Sequence, residues 1–145
     1  MMMKLAEKAA HSANRNRAVE RPPIVLSALD RERLVALLRA ASTTMDPEVV
    51  LFLREELDRA DVIQGELSPT AVVAIGSTVK FIDHAALRAR QVKLVHPDEA
   101  NGIDLISVTG ALGSALIGLG PGQTISWRDR QTPRRLSVLE TTHNC

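Results

Sequence analysis

The spacing of apolar positions changes once along this chain, from a helical period in the first half to alternation in the second. Leu34, Leu37, Leu38 and Ala41 fall at i, i+3, i+4 and i+7, which places them on one stripe of a helix running to about Ala41. Ser27-Ala28-Leu29-Asp30 precedes it as a capping arrangement: the Ser hydroxyl accepts from a first-turn N–H and the acid three places on reaches back. After Ser42-Thr43-Thr44-Met45, Asp46 reads as the next N-cap, with Pro47 at the first helical position, where its missing N–H costs nothing. Val50, Leu53, Leu57 and Ala60 then stripe a second helix expected to reach about Val62. Two facing stripes predict an antiparallel helical hairpin with arms only about 20 Å long.

From Ser77 the pattern alternates, with Val79 and Phe81 on one face of a strand entered through Gly76. Further strands are expected over Leu87 to Val95, Leu105 to Thr109, Thr124 to Arg128 and Leu136 to Glu140. Pro97 ends the first of these and opens a loop. The fold class is therefore α+β, a short antiparallel hairpin followed by a twisted antiparallel sheet with one short helix at its side. The chain divides into a disordered basic arm over residues 1–21, closed by Pro22-Pro23, a hairpin over 22–66 and a sheet domain over 67–145. A length of 145 residues leaves room for no more than these two cores.

The net charge of +1 averages unlike segments: residues 1–29 carry five basic and two acidic groups, residues 30–64 five and eight, and residues 65–145 eight and seven. An acidic hairpin beside a basic tail does not make the clustered basic surface of a nucleic-acid-binding domain. The one cysteine, Cys145, leaves no partner for an intrachain disulfide, and no run approaches the roughly 20 apolar residues of a membrane span. A cytoplasmic protein with no membrane partner is expected.

Candidate chemistry is sparse. Thr44, Asp46 and Glu48 fall at the predicted hairpin tip, where two carboxylates could share a Mg²⁺ ion completed by water or a partner. The plainer reading gives Asp46 to the helix cap and Glu48 to the helix dipole, each worth about 0.3 to 1 kcal/mol. Glu55, Glu56, Asp58 and Asp61 make the second helix acidic, either to steer it toward a basic surface or as a solvated face paired with Arg54 and Arg59. His11, His84, His96 and His143 are scattered, without carboxylates or thiols at metal-ligand spacing. No nucleophile motif or phosphate loop follows the glycines of the C-terminal half. No catalytic residue, metal or cofactor is expected.

Residues 106–127 read as a strand, a glycine-bounded helical turn, a Gly-Pro-Gly turn and a second strand ending in Trp127. With Ser77 to Phe81, Val95-His96-Pro97 and Ala115-Leu116-Ile117-Gly118, this stretch resembles the C-terminal domain of the Gre-type transcript cleavage factors. It resembles more closely their short relatives, the Rnk-type regulators of nucleoside diphosphate kinase, over residues 22 to 141. The resemblance implies an FKBP-like sheet domain and, as partner, bacterial RNA polymerase, whose secondary channel the family's hairpin enters. It implies a polymerase-facing patch at Thr109, Gly110, Ala111, Leu112 and Leu116, nucleic acid reached only through polymerase, and a monomer. Gre-type factors have Asp-Ser-Pro where this chain has Thr109-Gly110-Ala111, and the family's common Gly-Asp turn is Gly122-Gln123 here. The hairpin is far shorter than the Gre type, so its acids should stop short of the polymerase metals. The expected function is a non-enzymatic regulator competing with Gre-type factors at the channel. The alternatives are a cleavage factor using Asp46 and Glu48, and a peptidyl-prolyl isomerase. Phe81 and Trp127 are the only aromatics of the sheet domain, too few to wall an aromatic proline pocket.

Overall fold

Ser27 stops one strand and starts one helix. In the computed structural model, which describes residues 21–130 and 132–143, its side chain accepts from the Asp30 N–H at 3.1 Å. Helix α1, Ala28–Ala41, follows. Helix α2, Pro47–Arg59, begins after Asp46, whose carboxylate accepts from the Glu48 N–H at 2.9 Å. Leu34 and Leu38 of α1 and Val50, Leu53 and Leu57 of α2 are buried, so the two predicted stripes meet as an antiparallel pair.

α2 ends three residues earlier than the periodicity suggests. Ala60 is extended, and Asp61–Ile63 forms strand β2 parallel to β1, Val25–Ser27. The Asp61 N–H donates to the Ile24 carbonyl at 3.0 Å. Pairing with a distant strand therefore overrides the local helical pattern. The arm expected over residues 1–21 lies outside the described residues except at Arg21. That residue packs on α2: its guanidinium pairs with Glu55 at 2.7 Å and sits 4.5 Å from the centre of the Phe52 ring.

The second half forms a five-stranded sheet in the order β5-β4-β3-β7-β6. Its strands are β3 Ser77–Asp83, β4 Arg88–Val95, β5 Leu105–Ser107, β6 Thr124–Asp129 and β7 Thr132–His143. Helix α3, Ala111–Leu116, lies between β5 and β6. The expected antiparallel pairing holds for β3 with β4, β3 with β7 and β6 with β7, but β5 runs parallel to β4. The chain reaches that edge through a 3₁₀ turn at Pro97–Glu99 and an Asn101 side chain that accepts from three successive N–H groups, those of Ile103, Asp104 and Leu105. β7 is longer than its apolar run. Residues 132–135 pair only with β6, and Pro133 sits where no second neighbour needs its N–H.

One hydrophobic core runs through both halves. Leu34, Leu53 and Leu57 of the hairpin join Val79, Phe81, Leu94, Leu116, Ile125, Trp127 and Leu136 in a single cluster. Asp30 also ties them together. The capping pattern has it reaching back to the helix start, but its Oδ2 accepts from the Ile75 N–H at 3.0 Å in a buried bond spanning 45 residues. The Ser27 side chain thus caps the Asp30 N–H, while the Asp30 carboxylate serves the chain that enters β3.

Candidate functional site

The patch expected on the polymerase-facing side is built at the junction of β5 and α3. Ser107 organises it. Its hydroxyl accepts from the Thr109 N–H at 3.0 Å and lies 2.9 Å from the Thr109 hydroxyl, and its carbonyl accepts from the Gly110 N–H at 3.1 Å. Gly110 is extended and serves as the N-cap of α3 without a side-chain cap bond. Gly113 has to be glycine: a Cβ there would collide with the Ser107 carbonyl and the backbone of Val108. Thr109, Gly110, Ala111 and Leu112 are therefore held together, half-buried, on a short rigid corner. Leu116 is not part of that surface. It is fully buried in the core, on the inner face of α3, and its effect on any partner is through packing alone.

The hairpin tip is used differently from a pair of open carboxylates. Thr44 donates to the Ala41 carbonyl at 3.1 Å, Asp46 caps α2, and the Glu48 carboxylate accepts from the Arg130 N–H at 3.0 Å on the turn between β6 and β7. Arg130 takes a positive φ of 55° there. The tip thus rests against the sheet's own turn. Among the described residues no three His, Cys, Asp or Glu side chains gather as a metal ion requires. His84 and His96 stay far apart in the fold's use of them: His84 bonds the Ser137 hydroxyl at 2.8 Å, while His96 precedes the 3₁₀ turn.

The acidic face of α2 is largely consumed within the molecule. Glu56 is buried and receives Arg59 through two bonds of 2.9 Å, with Arg21 at 3.5 Å; Arg59 also donates to the Pro22 carbonyl. Glu55 takes Arg21. The sequence shows these charges as one acidic run, but the pairing with Arg21, 34 residues away, is a tertiary choice with no local signal. At the far end of the sheet, Arg134 bridges Asp83 and Asp129 at 3.3 Å and lies 5.6 Å from the Trp127 ring centre. Burial pushes the Asp83 carboxyl up, but the Ala85 and Ala86 N–H groups and the Arg134 charge more than offset it, leaving the group below its ordinary 3.8.

A short hairpin sharing its core with a curled sheet, and a strand–glycine–helix corner at the sheet's edge, define the class of GreA/GreB-type factors. Two family descriptions match in the same order, "Rnk N-terminus" over residues 22–63 and "Transcription elongation factor, GreA/GreB, C-term" over residues 68–143, and the chain belongs to the Rnk-type branch of this family. The "Regulator of nucleoside diphosphate kinase" of Escherichia coli K12 is 34% identical over 110 residues, covering 75% of this chain and 80% of that protein. The Shigella flexneri protein of the same name matches equally. Among solved structures, "Prokaryotic transcription elongation factor GreA/GreB from Nitrosomonas europaea" is 32% identical, with a TM-score of 0.64, and the match covers 85% of this chain and all of that one.

Proposed function

We propose that this protein is a non-enzymatic transcription regulator that binds bacterial RNA polymerase at the secondary channel and competes there with Gre-type factors. The observation that carries this reading is the pairing of a GreA/GreB C-terminal domain with a hairpin of only 14 and 13 helical residues. Arms of about 20 Å give a docking element without the reach that cleavage chemistry needs. The corner at Thr109 to Leu112 is the contact surface on the sheet domain. The tip residues Thr44, Asp46 and Glu48 serve the hairpin's own structure, since Asp46 caps α2 and Glu48 holds the Arg130 turn.

The test is a backtracked polymerase complex challenged with a Gre-type factor in Mg²⁺. Added in excess, this protein should slow cleavage by that factor and produce none alone. Shortened RNA from this protein by itself would restore Asp46 and Glu48 as metal ligands. Undiminished cleavage at saturating protein would remove the competition.

A further inference from the structure

The outer face of the hairpin carries a second surface that the corner at Thr109 to Leu112 does not touch. Between α1 and α2 runs a groove of about 270 Å³, lined by Arg31, Val35, Leu38 and Arg39 from one helix and Arg54, Leu57 and Asp58 from the other. Its three arginines have no hydrogen-bond or ion-pair partner among the described residues. Arg21, Arg59 and Arg134, by contrast, are each held by carboxylates. The hairpin therefore divides its charge: Glu55 and Glu56 of α2 are spent on Arg21 and Arg59, and three unpaired guanidinium groups are left along the groove with Asp58, over a floor of half-buried Val35 and the exposed edges of the core residues Leu38 and Leu57.

We propose that this groove is a docking site for an amphipathic helix of a protein partner, one whose apolar seam lies on Val35, Leu38 and Leu57 and whose flanks carry carboxylates for Arg31, Arg39 and Arg54. Charge complementarity selects the acid, and Arg favours it further because its planar fork can bind a carboxylate through two parallel bonds. The groove between two antiparallel helices is the seat that a third helix fills in a bundle, and the spacing is compatible with one. Arg31 and Arg39 are eight residues apart, about 12 Å along α1, which matches acids seven or eight apart on a helix lying in the groove. Such an occupant would complete a three-helix packing along an arm of about 20 Å, the helix-in-groove mode of recognition. Asp58, near the end of α2 and so at the Arg31 end of an antiparallel pair, calls for one basic residue on the occupant and so fixes its direction. The inference rests on the chain being a binding protein, but not on polymerase being its partner.

The probe is a synthetic amphipathic helical peptide of about 21 residues, with a leucine seam flanked by glutamates and one lysine, titrated into the full chain and followed by fluorescence anisotropy and amide chemical shifts. A control peptide carries lysines in place of the glutamates. We expect the glutamate peptide to bind with shifts centred on Arg31, Val35, Arg39 and Arg54, and to weaken steeply as salt rises from about 50 to 300 mM. The paired variant Arg39→Glu with Arg54→Glu changes only exposed side chains. It should lose roughly tenfold or more in affinity for the glutamate peptide and gain the lysine peptide. Equal binding of both peptides, or shifts elsewhere, overturns the proposal. So does tighter binding at the same residues by inorganic phosphate or a single-stranded oligonucleotide, which would reassign the arginines to phosphate. Peptide binding that survives a failed polymerase competition separates this site from the function proposed above.

Discussion

Asp30 shows how much one side chain does in this chain. It is 5% exposed, its backbone N–H takes the Ser27 cap, and its carboxylate accepts the buried Ile75 N–H while touching Arg33 at 3.4 Å. Asp30→Ala should cost about 1 to 3 kcal/mol, because it strands a buried donor as well as losing a bond. Asp30→Asn keeps an acceptor oxygen and should cost less; urea midpoints of the two variants check the order. Asp83 makes a pH-dependent contribution. Its folded pKa lies below the ordinary 3.8, so its stabilisation is complete above that value and is lost as pH falls through the folded one. Unfolding measured between about pH 5 and pH 2 should show a loss in the wild type that Asp83→Asn flattens. An equal acid slope in both proteins would contradict the account of Asp83 as a carboxylate held charged by the Ala85 and Ala86 N–H groups and by Arg134.

At the scale of elements, Asp46 separates a cap from a metal ligand. Asp46→Ala should lower stability by about 1 kcal/mol and leave competition at polymerase unchanged. A loss of competition without a loss of stability would point to chemistry at the tip. The same element shows what local signals reach. Ser27, Asp46 and Pro47 mark both helix starts because capping is satisfied within three residues of the chain. The alternation of Val79 and Phe81 marks β3 because its inner face is buried and its outer face wet. The elements that could not be read ahead depend on distant partners. β1 and β2 are three residues each and exist as a parallel pair across the hairpin; α2 stops early to supply one of them; β5 joins β4 in parallel through a loop ordered by Asn101. The corner at Thr109 to Leu112 was legible as a motif. Its members' burial was not, and Leu116 turned inward because α3 has one face on the core.

For the whole molecule, hairpin and sheet stand or fall together. Leu53 is fully buried on α2 within the same cluster as Phe81 and Leu136. Leu53→Ala should cost about 2 to 5 kcal/mol and lower a single unfolding transition seen by helix and tryptophan signals alike. Two separate transitions would mean that the halves are independent. The shared core also means that cutting away the hairpin would damage the sheet, so docking has to be probed by surface changes. The family's Asp-Ser-Pro fits the corner: Gly110 is extended with only ordinary contact for an added Cβ, and Ala111 is the first residue of α3, where proline is tolerated.

Binding to core RNA polymerase at low salt, measured for the full chain beside the variant Thr109→Asp, Gly110→Ser, Ala111→Pro, tests the central claim most directly. The account predicts that both proteins bind at one Gre-competable site and that the variant binds more tightly. Failure of both to bind, or binding that a Gre-type factor does not displace, would contradict it.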